Sequence, residues 1–256
     1  MIKKETEKFV LSNVFEGMTS ISALLNSREN NDRKITKILY NEKKVPYKIR
    51  EFDFLRHKSE EFGFELETVP LDEIEKYTIG SSHGGVIAFC TERTIKELSP
   101  DCVADNGFYF MLEGIEDPYN FGYSLRSLYA AGVNGVILPR RNWMGAAGVV
   151  ARASAGASEF LDMYTSNTEN LISVFREKNY KIFCADLPNS ISLYSAELKK
   201  PLLIIVGGEK RGNSKFVLDN SDQIVRIDYG RDFGASLSAA SASAVIAFEV
   251  MRQNLK

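Results

Sequence analysis

The apolar positions of this chain change rhythm repeatedly between the helical and the strand period. "MTSISALLNSREN" (18–30) carries apolar residues at helical spacing, with Thr19 or Ser20 as N-cap. "ITKILYNEK" (35–43) reads as a short strand running into a charged turn. "KIREFDFLRHKSEEFG" (48–63) returns to the helical period and stops at Gly63, and "FELETVP" (64–70) is a strand ended by Pro70. A short helix at "LDEIEKYT" and an apolar strand at "GGVIAFC" complete a first α/β block, assigned to residues 1–95. The polar stretch 96–107, with Pro100 and Gly107, is expected to be a linker. Residues 108–256 form a second block. Strands are predicted at 108–114, 134–138, 181–185, 202–206 and 224–228, with helices at 121–131, between 138 and 181, and at 236–254. Strands separated by helices predict a largely parallel sheet.

Composition narrows the class. The 256 residues carry a formal net charge of -2, which argues against unspecific coating of nucleic acid but leaves room for a local basic face. The cysteines, Cys90, Cys102 and Cys184, have neither metal-ligand nor redox spacing and are read as reduced thiols. The N-terminus lacks the apolar run of a signal peptide, and no stretch is long and apolar enough to span a membrane, so a cytoplasmic protein is expected. His57 and His83 belong to no zinc motif, Ser154 lacks the surroundings of a nucleophile elbow, and no dinucleotide fingerprint follows a strand. No metal is expected.

Three stretches of the second block hold candidate chemistry. In "IEDPYNFGYSLRSLYAAG" (115–132), polar residues fall between a strand end and a helix, where open α/β sheets bind ligands. Asp117 and Asn120 could cap that helix or meet a ligand, and Arg126 could be a surface charge or a binding group. "LLIIVGGEKRGNSKFVL" (202–218) spaces Gly207 and Gly212 as a triphosphate loop would, but Asn213 stands where the lysine belongs. Glu209 at its mouth suits hydroxyl or cationic groups and repels a triphosphate. In "YGRDFGASLSAASASAVIAFEVMRQ" (229–253) a loop enters a helix rich in Ala and Ser. Small residues allow close helix packing, and Ser236 or Ser238 can cap the helix.

The order and spacing of Asn120-x-Gly122-x-x-x-Arg126, "ASAGA" at 153–157, Gly208-Glu209-x-x-Gly212 and Ser236-Leu237 resemble the SpoU (TrmH-type) branch of the SPOUT RNA methyltransferases, over about residues 108–256. "SSHGGVIAFC" resembles the strand closing that family's ribosomal-protein-like substrate domain, with His83 read as a turn residue. The resemblance implies an α/β fold with a C-terminal trefoil-knotted methyltransferase domain and a smaller N-terminal α/β RNA-binding domain. It implies a homodimer, S-adenosylmethionine as cofactor, and methyl transfer to a ribose 2′-hydroxyl of RNA, with large-subunit rRNA preferred to tRNA.

By the same resemblance Arg126, Asn120, Glu209 and Ser236 are the catalytic set. Ile205, Gly207, Gly208, Gly212, Ile227, Ser236, Leu237 and Ser238 surround the cofactor. The chain departs from the family pattern in having Ser238 for an asparagine, Asp228 for a proline, and a loop one residue longer before Ser236. RNA contact is expected from Lys34, Lys37 and Lys44, within a group that also holds Arg33, Lys43, Lys48 and Arg50, and from Arg140, Arg141 and Trp143. The alternatives are a catalytically degenerate relative that binds structured RNA and, further off, a small-molecule transferase.

Overall fold

The structure is a computed structural model that describes residues 13–78, 83–115, 117–139, 146–208 and 212–255. It divides into two compact units, residues 1–94 with 143–160, and residues 95–142 with 161–256. In the first, β1 (Val14–Glu16) leads directly into α1 (Gly17–Asn26), followed by β2 (Ile35–Asn41), a 3-10 turn at Glu42–Lys44, α2 (Ile49–Phe62), β3 (Glu65–Val69), α3 (Leu71–Glu75) and β4 (Val86–Cys90). The second unit then begins with β5 (Lys96–Glu97), β6 (Phe108–Leu112), α4 (Pro118–Ala130) and β7 (Gly135–Leu138). Two short helices, α5 (Ala147–Ala153) and α6 (Ala157–Phe160), belong again to the first. The remainder of the second is β8 (Asp162–Thr165), α7 (Thr168–Glu177), β9 (Lys181–Ala185), β10 (Ile191–Ser192), β11 (Leu202–Val206), α8 (Lys215–Asn220), β12 (Gln223–Arg226) and α9 (Ala239–Asn254).

This interleaving differs from the contiguous division read in the sequence. Residues 96–107 are not a free linker: β5 pairs in parallel with β8, and Leu98 and Val103 are buried in the core of the second unit. A composition rich in Pro, Asp and Gly hides these two apolar anchors. Residues 147–160 pack in the first unit, where Ala147 and Ala151 join the core formed by Phe15, Ile21, Leu24, Ile38 and Leu55. The approach is close enough that a Cβ on Gly148 would lie 1.9 Å from the carbonyl oxygen of Val14. The small residues of this stretch therefore serve packing against β1.

The first unit holds a four-stranded sheet in the order β1-β4-β2-β3, antiparallel except for β2 with β3. Its buried ion pair joins Arg33 Nε to Glu159 Oε2 at 3.1 Å. Arg33 also donates to the Thr91 carbonyl (3.0 Å) and lies 4.9 Å from the Phe15 ring centre. Arg33 is thus a core residue, not the RNA-facing cation expected from its place in a basic stretch. Its counter-ion stands 126 positions away, out of reach of local pattern.

The second unit is an eight-stranded parallel sheet, β10-β12-β9-β11-β6-β7-β8-β5. Strands β6, β7 and β11 are buried at every position, which is why they read as unbroken apolar runs rather than alternations. On one face, Tyr109, Phe175 and Tyr180 stack edge to face with ring centres 5.1 to 5.8 Å apart. Each such pair adds roughly 0.5–1.5 kcal/mol beyond its buried area.

Helix α4 starts at Pro118, three residues before the predicted 121. Asp117 caps it, its Oδ1 accepting from the Tyr119 N–H at 2.8 Å, and Pro118 fills the first helical position. It packs on α9, and both helices bury small residues, among them Gly122, Ser124, Ser243 and Ala247. Elements the periodicity missed, such as β1, β5, β10 and α8, are six residues or shorter, too short for a period to show.

Removing one partner of the buried pair strands the other charge, so Glu159→Ala is expected to cost about 3–5 kcal/mol. Arg56→Ala, which breaks a half-exposed pair with Asp53, is expected to cost less than about 1 kcal/mol. Urea unfolding of both variants checks the contrast; equal losses would mean the buried pair does not hold α6 in place.

Candidate active site

Because β12, β9, β11 and β6 are adjacent and parallel, their carboxyl ends lie on one edge of the sheet. That edge is where open α/β sheets take ligands. It carries Ile227 after β12, Asp186 after β9, Gly207 and Gly208 after β11, and Glu113 and Gly114 after β6. The Glu113 N–H donates to the Val206 carbonyl at 3.0 Å, extending the β6–β11 pairing by one residue.

The two ends of the glycine loop, Gly207–Gly208 and Gly212, meet as a backbone curl. Gly212 N–H donates to the Gly208 carbonyl at 2.9 Å, and the two residues form an isolated antiparallel bridge. A Cβ on Gly207 would sit 2.4 Å from the Gly212 carbonyl carbon, and one on Gly114 would sit 2.8 Å from Gly208 Cα. Neither position admits a side chain without moving backbone. The residues that a triphosphate loop would use are occupied inside the protein. Asn213 Nδ2 donates to the Ala185 carbonyl (2.8 Å) and to Asp186 Oδ2 (3.1 Å). Ser214 caps α8, its Oγ accepting from the Val217 N–H at 3.3 Å.

Two acceptors flank this curl without donors. Glu113 Oε2 and Asn213 Oδ1 are both buried and have no hydrogen-bond partner among the described residues. Burial holds the Glu113 carboxyl above the usual carboxylate range. Orphaned acceptors are unfavourable unless a ligand supplies donors. The edge therefore fits a ligand with N–H, O–H or cationic groups and opposes a phosphate chain.

The other expected site residues belong to the same unit. Ile205 is fully buried in β11, and Ile227 is half-buried. Asn120 sits half-buried in the first turn of α4 and its carbonyl accepts from Ser124 Oγ at 2.9 Å. Arg126 is exposed on the same helix, on a stripe with Tyr119 and Tyr123. Ser236 and Leu237 are exposed before α9, and the Leu237 N–H donates to Tyr229 Oη at 3.0 Å. Ser238, not Ser236, caps α9: its Oγ accepts from the Ser241 N–H at 3.2 Å, so the helix begins at Ala239 rather than at 236. Asp228 pairs with Arg226 at 2.8 Å, and a Ser192 hydrogen bond together with that arginine holds its carboxyl below the ordinary range. Among the described residues, no hydrogen bond or ion pair joins Arg126 or Ser236 to the curl. Glu209 lies outside the described residues, as do Arg140, Arg141 and Trp143.

The basic group of the first unit is uneven. Lys34 is exposed. Lys37 is paired with Glu67 (2.5 Å) and Glu65 (3.4 Å) in an open groove of about 540 Å³ that Glu73 also lines. Its surroundings are acidic and do not support the expected phosphate contact. Lys44 Nζ donates to the Gly84 carbonyl at 2.7 Å, pinning the turn in which buried His83 accepts from the Gly85 N–H at 3.1 Å. Lys43, Lys48 and Arg50 are exposed around Tyr47, which is 88% exposed. Tyr47 escaped the sequence reading; an aromatic within a lysine run, "KKVPYKIR", is the signal that could have found it.

The profile of the SpoU rRNA methylase family matches residues 107–248. A 23S rRNA (guanosine-2'-O-)-methyltransferase, RlmB, of Shewanella oneidensis is 28% identical over 206 residues, covering 78% of this chain and 82% of that protein. A putative TrmH family tRNA/rRNA methyltransferase of Staphylococcus saprophyticus is 33% identical over 194 residues, covering 73% and 77%. In fold, the chain is similar to an AdoMet-bound rRNA methyltransferase from Sinorhizobium meliloti, with a TM-score of 0.80 at 21% identity over 98% of this chain and 95% of that one. The parallel sheet with its glycine curl is the fold of an RNA methyltransferase, and the chain belongs to the SpoU rRNA methylase family. Among the described residues no group of three His, Cys, Asp or Glu side chains is placed to hold a metal ion, and no helix is long and apolar enough to cross a membrane.

The cap at Ser238 gives a stability test. Ser238→Ala should lower stability by about 1 kcal/mol, whereas Ser238→Asn, which restores the usual family residue and an equally good cap, should stay within about 0.5 kcal/mol of the wild type. Thermal unfolding of the two variants decides it; a destabilised Asn variant would show that Ser238 does more than cap.

Proposed function

We propose that this protein transfers a methyl group from S-adenosylmethionine to a ribose 2′-hydroxyl of RNA, large-subunit rRNA in preference to tRNA. The observation that carries the reading is the glycine curl with its orphaned acceptors on the sheet edge of a SpoU-family chain. The names of the relatives add to it, since one acts on a guanosine 2′-oxygen of 23S rRNA. The cofactor, when bound, supplies an electrophilic methyl group on a sulfonium. Backbone groups of Ile205, Gly207, Gly208, Gly212, Ile227 and Leu237, with Ser236 and Ser238 beside them, would hold it. Arg126, which stays protonated, would orient the 2′-hydroxyl and the adjoining phosphate, and Asn120, Glu209 and Ser236 would fix the pocket around them. RNA would be gathered by the exposed cations Lys34, Lys43, Lys48 and Arg50, with Tyr47 as a stacking surface.

The family match is what supports a trefoil knot in the second unit. A homodimer is supported by the exposed Tyr119 and Tyr123 of α4 and Phe248 of α9, on helices that pack together. Such an interface would place Arg126 at the partner. The protein would work in the cytoplasm without a metal.

The test is transfer of labelled methyl from S-adenosylmethionine to RNA from a strain lacking this gene. Label should enter large-subunit rRNA, and Arg126→Ala should lower the rate on the order of 100-fold or more, the scale of loss for a misplaced reactant. No label in rRNA, tRNA or intact subunits from a folded protein would favour the RNA-binding alternative. For the dimer, sedimentation of the wild type should give twice the chain mass, and Tyr123→Glu with Phe248→Glu should give monomers; a monomeric wild type at micromolar concentration would refute it.

A further inference from the structure

Glu113 has no role in the set assigned so far. It ends the central buried strand of the second unit and abuts the curl, since the Cβ that Gly208 lacks would lie 3.4 Å from the Glu113 carbonyl oxygen. Its Oε2 is buried with no donor among the described residues, as is Asn213 Oδ1 at the other end of the glycine loop. A carboxylate held this way carries a desolvation cost that no protein group offsets. Gln would fill the same volume without that cost. An acid with a buried oxygen at the carboxyl edge of a ligand-binding sheet, with no counter-ion among the described residues, fits a counter-charge that arrives with the ligand.

Resting on the cofactor reading above, we propose that Glu113 is the binding residue that neutralises a positive charge of S-adenosylmethionine, its sulfonium or its α-ammonium. Asn213 accepts a hydrogen bond from the same ligand. The titratable groups near Glu113 on the neighbouring elements bear on how binding depends on pH. From β9, Cys184 is electrostatically coupled to it, and burial, then Asp186, then Glu113 push that thiol up to about 12, so it stays neutral at working pH. Asp186, beyond it, is engaged by Asn213. From β11 and the loop after it, Val206 and Gly208 adjoin it among the described residues, neither titratable. Burial raises the Glu113 carboxyl in the free protein. Cation binding should therefore release a proton from Glu113 and tighten as pH rises through that carboxyl's range.

Calorimetric titration of the full chain with three probes tests this. S-adenosylmethionine carries both cations, S-adenosylhomocysteine the ammonium alone, and 5′-methylthioadenosine neither. Glu113→Gln should weaken S-adenosylmethionine roughly tenfold or more, the scale of a hydrogen bond to a charged group, and leave methylthioadenosine unchanged. Equal loss for S-adenosylhomocysteine assigns the ammonium; no loss for it assigns the sulfonium. Wild-type affinity for S-adenosylmethionine should fall as pH is lowered through the range of the Glu113 carboxyl, and Glu113→Gln should lose that component of the dependence. A Gln variant that binds all three like the wild type overturns the role of Glu113 while leaving the cofactor site standing. Failure of the wild type to bind any probe overturns the cofactor reading itself, and with it this one. If Glu113→Gln does not fold, Glu113→Asp, which draws the charge back by one methylene, should weaken S-adenosylmethionine and spare methylthioadenosine; unchanged binding of both overturns the role.

Discussion

The insertion of β11 between β6 and β9 is the constraint on which the second unit depends. All three strands are parallel, and β6 and β11 are buried on both faces. Their side chains can therefore be little else than Phe, Tyr, Met, Leu, Ile and Val, and polar chemistry is pushed to the ends. Parallel pairing sends every carboxyl end to one edge, so the loops after β6, β9, β11 and β12 meet there whatever their separation in the chain. The glycines follow from the same crowding. Backbone from 114, 208 and 212 approaches so closely that Cβ atoms have no room.

That edge is rich in acceptors and poor in donors. Asn213 and Ser214, which in another loop would face a nucleotide, are turned inward to Asp186 and to the start of α8. Among the described residues, what is left open there is backbone, a carboxylate oxygen of Glu113 and the amide oxygen of Asn213. The two departures from the family pattern have structural tasks of their own, Ser238 as a helix cap and Asp228 as the partner of Arg226 and Ser192. Neither requires the loss of activity to be understood.

The first unit shows how burial can reverse the meaning of a charge. Arg33, Lys34 and Lys37 are neighbours in sequence and look alike there. In the fold one is sealed against Glu159 and Phe15, one is exposed, and one is surrounded by glutamates. The cations that stay exposed together are those around Tyr47. The small residues of 147–157 likewise found their use in contact with β1 and α1, where Gly148 and Gly156 leave no space for a Cβ beside Val14 and Ala23.

The sequence by itself determined the parallel α/β character of the second unit, because strands buried on both faces must be written as unbroken apolar runs. It also determined the Asp117 region, the glycine loop and the Ser-rich helix start as candidate stations, because sharp turns and caps demand particular residue types. It marked Gly63 and Gly132 as helix stops for the same reason, both with positive φ in the fold. Only the tertiary structure decided which serine caps α9, that residues 96–107 feed the core, that residues 147–160 belong to the first unit, and that Arg33 is buried. It alone revealed that Glu113 buries a carboxylate oxygen with no donor among the described residues. Each of these depends on a contact between residues distant in the chain, and burial, which sets the state of a charge, is a property of the whole fold and not of its local pattern.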